Sequence, residues 1–208
     1  EGLLSLRPQE RPWVLTRSGC VGTQNYAFSW MGDNSSWWEH LEMTLSQLLG
    51  MGLSGAPWVG VDVSGFHDNA NAELLVRWYE QAIFYPFLRN HSAKFTRPQE
   101  PWRFGPVCEE AIQRCLELRY RLLPYLYSLA HETHTTGAPL LRPLFWDFVQ
   151  DAQALHIDDQ ALLGPFLLIA PLTKSGLEHR AVYLPPGRWA NFWTRHIEQG
   201  PKWIVDRA

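Results

Sequence analysis

Cysteine is scarce in this chain, and no stretch of it stays apolar for long. Three cysteines in 208 residues do not make a disulfide framework. Cys108 and Cys115, seven apart on a predicted helix, lie about 10 Å apart along its axis, too far for a bridge. They read as free thiols, buried or partly buried, in a reducing compartment, so a cytoplasmic location is expected. The apolar runs fall short of the roughly 18 residues a membrane span needs. Eighteen Lys and Arg against 21 Asp and Glu give a net charge of −3 without a basic stripe. Neither a nucleic-acid partner nor a membrane is therefore expected. Low-complexity tracts are absent, and Glu1-Gly2-Leu3-Leu4 carries neither an initiator methionine nor a signal-peptide pattern.

What the chain does have is apolar mass and tryptophan. It is 46% hydrophobic, with 11 Trp. That excess suits a cleft that presents flat rings to a ligand as well as a core. The first part reads as strand-then-helix units. Strands are expected at 13–16, 26–30 and 57–61, with a short extended segment at 86–91. Helices are expected over about 37–49, where Gly50 and Gly52 are read as the stop, and over 73–85. A long helix over 109–132 turns Leu116, Tyr120, Leu123, Leu126 and Tyr127 inward, with a kink expected at Pro124. After Gly137 the texture changes to short strands at 142–146, 162–169, 180–184 and 189–193, with Pro185-Pro186-Gly187 as a turn. The fold class is α/β: a partial (β/α)8 TIM barrel, its second half, over 1–138, followed over 139–208 by the beginning of an antiparallel β-sandwich.

Polar residues recur at the predicted strand ends: Arg17, Asp33, Asp62 and His91. The last two intervals are both 29 residues, one βα unit with its return loop, which places these groups on one barrel rim. The interval from Arg17 to Asp33 is too short for a helix, so that connection is expected to be irregular. A carboxyl group near an arginine and several rings suits a sugar-cleaving site, yet such chemistry needs two carboxylates. Each residue also has a plainer reading. Asp33 is an available N-cap for the next helix, Arg17 a bridge between carboxylates, Asp62 an orienter of Arg17, and His91 a satisfied core histidine. His131 and His134 flank Glu132 without zinc-protease spacing and read as solvent-facing. Asp158-Asp159 reads as a turn.

The ordered segments Arg11-Pro12-Trp13-Val14-Leu15-Thr16-Arg17-Ser18, Trp30-Met31-Gly32-Asp33-Asn34, Gly60-Val61-Asp62-Val63-Ser64-Gly65-Phe66 and Phe84-Tyr85-Pro86-Phe87-Leu88-Arg89-Asn90-His91 carry a resemblance. So do Leu118-Arg119-Tyr120-Arg121-Leu122-Leu123-Pro124-Tyr125 and Tyr183-Leu184-Pro185-Pro186-Gly187. Over essentially its whole length the chain resembles glycoside hydrolase family 31, in its α-glucosidase branch. The resemblance implies a retaining exo-α-glucosidase that hydrolyses terminal non-reducing α-linked glucose, with no metal or cofactor. It makes Asp33 the general acid/base, protonated when substrate binds and a base toward water afterwards. Arg17 and His91 bind sugar hydroxyls, Trp30 and Phe66 wall the subsite, and Asp62 supports it.

The family's nucleophile is an aspartate on an earlier barrel strand, in a motif not found here. The resemblance therefore implies an α-glucoside or oligosaccharide substrate and a missing N-terminal half of the same enzyme. By itself the chain is expected to be inactive. Ser64 stands where a glycine is usual, and Trp37-Trp38 beside the acid motif is a second departure. Two other readings remain open: a non-catalytic carbohydrate-binding remnant, and an α-transglucosylase on the same scaffold.

Overall fold

A computed structural model describes residues 2–207. A short helix, α1 (Gly2–Leu6), precedes four strands: β1 (Leu15–Thr16), β2 (Phe28–Trp30), β3 (Val59–Val63) and β4 (Phe87–Asn90). They pair in sequence order and all in parallel. Helix α2 (Trp38–Leu53) joins β2 to β3, α3 (Ala72–Ala82) joins β3 to β4, and α4 (Pro106–Thr136) follows β4. The β1–β2 connection holds only a 3-10 turn at Thr23–Asn25. This is a half barrel of βα units.

The outward side chains of β3, Val59, Val61 and Val63, are buried with Leu41, Leu45 and Leu48 of α2 and Leu74, Leu75 and Trp78 of α3. At about 25 cal/mol per Å2 of apolar surface removed from water, this layer is what holds the sheet. Glycine marks where backbone must approach: a Cβ on Gly60 would fall onto the Phe87 carbonyl of the neighbouring strand. Asn71 opens α3 by accepting a hydrogen bond from the Leu74 amide at 2.8 Å.

Several expectations are corrected. Helix α2 runs on through Gly50 and Gly52 to Leu53, because Gly52 lets the helix pack against Pro139. Strand β3 extends to Val63, so Asp62 lies inside it rather than at its end. Helix α4 buries Ile112, Leu118, Leu126, Leu129 and Thr133, while Tyr120 and Tyr127 are 72% and 63% exposed and Leu123 is also exposed. Arg119 explains that rotation. Its guanidinium reaches the carbonyls of Ile83 at 2.7 Å and Tyr85 at 2.6 Å, capping the end of α3 and turning the neighbouring tyrosines outward. Burial lowers its pKa to about 10.

The C-terminal part is antiparallel. Strands β5 (Leu141–Pro143), β6 (Ala161–Leu163) and β7 (Leu167–Ile169) form one sheet; β8 (His179–Ala190) and β9 (Ile197–Arg207) form another. The expected strand at 142–146 stops at Pro143, and Leu144–Asp147 is a helix, α5, since proline's fixed φ suits the position before a first turn. The span 162–169 is a hairpin turning at Gly164, whose φ is 58°. Pro185-Pro186-Gly187 is not a turn. It sits inside one continuous strand, at a register shift between Leu184 and Gly187, where a strand paired on one side tolerates missing amides. The reversal comes instead at 191–196, where Asn191 Oδ1 accepts from the amides of Trp193 and Thr194.

Candidate active site

Arg17 follows β1 directly, and Asp33 follows β2 after one turn. Gly32 makes that turn at φ 83°, with the Arg17 guanidinium packed against the face where a Cβ would stand. Arg17 Nη2 lies 3.4 Å from Asp33 Oδ2, and His67 Nε2 lies 4.0 Å from the same oxygen. The Asp33 side chain is 32% exposed, so the carboxyl is reachable yet held.

Asp62 lies deeper and is fully buried. Cross-strand register puts Arg89 opposite it, and Arg89 donates through Nε at 3.0 Å and also through Nη2 to Asp62 Oδ1. The same guanidinium lies over the Trp30 ring, 4.9 Å from its centroid, and near Phe87. Asp62 Oδ2 and Trp30 Nε1 are buried without a partner, one acceptor and one donor left unmatched. Burial pushes the Asp62 carboxyl above the ordinary value; the Arg89 pair and the nearby His91 pull it down, and the Asp33 charge pushes it up. Phe66 stacks on His91 at 5.3 Å and 27°.

The loops after β2 and β3 are knitted by backbone. Phe66 and His67 amides donate to the Asn34 carbonyl, Asn34 Nδ2 donates to the Asp62 carbonyl, and Ser36 Oγ donates to the Ser64 carbonyl at 2.6 Å. Gly65, φ 92°, lies where a Cβ would strike the Ser36 amide. Gln99 Nε2 donates to its carbonyl from behind at 2.9 Å. Such cross-links fix the separation of the groups the two loops carry.

All six residues singled out from sequence, Arg17, Trp30, Asp33, Asp62, Phe66 and His91, sit at or near the same ends of β1 to β4, but they do not form one contact set. Arg17 meets Asp33 and Phe66 meets His91. Asp62 does not orient Arg17; it is committed to Arg89. Arg89 and His67 were not singled out. Arg89 was readable, since two residues before His91 on a strand puts it on the same face; His67 reaches Asp33 only through the loop pairing Ser35↔His67, which leaves no sequence signal. Among the described residues no group of three His, Cys, Asp or Glu stands together as a metal site. His131, His134, Asp158 and Asp159 are exposed, and Asp159 pairs with Arg180. Cys108 and Cys115 are unbridged, with burial pushing the Cys115 thiol up to about 12. Cys20, also unbridged, is exposed rather than buried.

Residues 1–129 match the glycosyl hydrolases family 31 TIM-barrel domain, and 137–208 match the glycosyl hydrolase family 31 C-terminal domain. The chain is 43% identical over all 208 residues to alpha-glucosidase 2 of Bacillus thermoamyloliquefaciens, covering 26% of that protein. It is 44% identical over 188 residues to the lysosomal alpha-glucosidase of Rattus norvegicus, covering 90% of this chain and 20% of that one. It thus spans about a fifth to a quarter of the length of such relatives. Its fold is similar to the endoplasmic reticulum glucosidase II catalytic subunit–regulatory domain complex, with TM-score 0.95 and 35% identity over 99% of this chain and 23% of that one. A family 31 α-xylosidase from a soil metagenome, solved with xylose, superposes with TM-score 0.93 at 33% identity, over 99% of this chain and 34% of that one.

Proposed function

We propose that this chain, which belongs to glycoside hydrolase family 31, is the acid/base-bearing part of a retaining exo-α-glucosidase. The observation that carries this is Asp33, held by Arg17 at 3.4 Å near buried Asp62 and its half-buried partners Arg89 and Trp30. Asp33 donates its proton to the glycosidic oxygen as a second carboxylate attacks the anomeric carbon and the leaving sugar departs. It then takes a proton from water, and the resulting hydroxide attacks the same carbon and releases the carboxylate. Asp62 is a poor second carboxylate because its Oδ1 is committed to Arg89. As the family resemblance implies, the nucleophile is an aspartate on an earlier barrel strand outside these 208 residues, and the chain alone is inactive. Arg17 and His91 hold sugar hydroxyls, and Trp30 and Phe66 wall the subsite.

Terminal α-linked glucose is supported by the names of the sequence relatives, which are α-glucosidases. The test is to express the complete polypeptide that carries this segment and follow cleavage of an α-glucosyl disaccharide by NMR. Release of glucose first as the α-anomer is expected. Absence of hydrolysis, or release of the β-anomer, would overturn the proposal.

A further inference from the structure

Beyond the buried groups of the rim stands a residue that nothing so far uses. Phe95, four residues past His91, is 93% exposed and has φ 76°. A single exposed apolar side chain is unremarkable, but a phenylalanine in the left-handed region is an outlier, and strain of this kind gathers at ligand sites. The strain is held from both sides. The Ala93 amide donates to the Phe66 carbonyl at 2.8 Å, Thr96 Oγ1 donates to the Ala93 carbonyl at 2.7 Å, and the Arg97 amide donates to Asn69 Oδ1. The Lys94 ammonium lies over the ring, 5.0 Å from its centroid. A loop tied through the Ala93 amide to the carbonyl of Phe66, the residue before His67, thus leaves the Phe95 ring exposed among the described residues.

His67 fixes which side of the site this is. Its Nε2 is 4.0 Å from Asp33 Oδ2, and Asp33, on the reading proposed above, is the group that protonates the leaving oxygen. Whatever lies beyond that oxygen is the leaving group. We infer that the loops carrying His67 and Phe95 form a subsite for the leaving group, with Phe95 as the platform on which a second sugar ring stacks and His67 as a polar contact to its hydroxyls. A sugar presents one face of C–H groups and an edge of hydroxyls, which is what an exposed ring and an imidazole on adjoining, hydrogen-bonded loops complement.

This rests on the reading of Asp33 as the acid, and the experiment separates the two. Phe95→Asn keeps a residue that tolerates φ 76° while removing the ring; Phe95→Tyr restores the ring. In the complete polypeptide, kcat/KM is compared on an α-glucosyl disaccharide and on α-glucosyl fluoride, whose leaving group is too small to reach the platform. Phe95→Asn is expected to lose about three- to tenfold on the disaccharide and less than about twofold on the fluoride, with Phe95→Tyr recovering the loss. Equal losses on both substrates, or none on either, would overturn the subsite alone. Failure of the unmodified protein to cleave either substrate would overturn the reading of Asp33 and this inference with it.

Discussion

Replacing Arg89 by methionine is expected to destabilise the fold strongly, and more so at neutral than at acid pH. Asp62 is fully buried, its Oδ1 takes two donors from Arg89, and its Oδ2 has no other partner. Removing the guanidinium strands a carboxylate inside the barrel, a loss of about 3–5 kcal/mol. For a chain of this size that corresponds to about 6–20 °C in thermal midpoint. The sign with pH follows from the pKa. Burial holds the Asp62 carboxyl above its ordinary 3.8, and Arg89 pulls it partway back. A raised folded-state value means stability falls as pH rises from the unfolded pKa through the folded one. Without Arg89 the folded value climbs further and the window widens upward, so the loss at pH 7 exceeds that at pH 5. Thermal unfolding by circular dichroism at the two pH values measures this. The double variant Arg89→Met with Asp62→Leu should recover most of the loss, because neither charge is then left alone. A shift below about 3 °C at pH 7, or equal shifts at both pH values, would refute the reasoning.

Ser64 sits at φ 70° with a buried hydroxyl that has no partner, so Ser64→Gly is expected to stabilise by about 1 kcal/mol, seen as a higher urea midpoint; a lower midpoint would contradict it. Gly65→Ala puts a methyl group onto the Ser36 amide, and its expected result is faster hydrogen exchange at Ser36 and His67 together with a loss of more than about 3 kcal/mol. Unchanged protection at both amides would mean that the two loops are not fixed by this approach.

How much of this was legible in the sequence varies with the kind of interaction. The half barrel was, because β3 and the helices flanking it carry apolar residues at their own periods and hydrophobic burial enforces those periods. Helix ends were less so: Gly50 and Gly52 read as a stop, but a close neighbour, Pro139, turns Gly52 into a packing contact. The inward face of α4 was right at Leu116 and Leu126 but wrong at Tyr120, Leu123 and Tyr127, where half-buried Arg119 commits its own face to carbonyls 33 to 36 residues away. In the β8–β9 hairpin, Pro185-Pro186-Gly187 has the composition of a turn, and only one-sided pairing lets it stay within a strand. The strand-end residues Arg17, Asp33 and His91 were readable from position. The partnership of Asp62 with Arg89 rather than Arg17, and the approach of His67 to Asp33, depend on register and loop pairing, which local sequence does not encode.

On the proposed function, Asp33 passes a proton to the leaving group. The most direct test is Asp33→Asn in the complete polypeptide, assayed on an α-glucosyl disaccharide and on α-glucosyl fluoride, with the thermal midpoint measured alongside. Disaccharide cleavage is expected to fall by about 10²–10⁴-fold. Glycosylation by the fluoride, read as kcat/KM and needing no proton donor, falls far less, while its kcat falls because the same residue serves as base toward water; the midpoint stays near that of the unmodified protein. Disaccharide cleavage within about threefold of the unmodified rate would contradict it, because the loss of a general acid costs at least about a hundredfold.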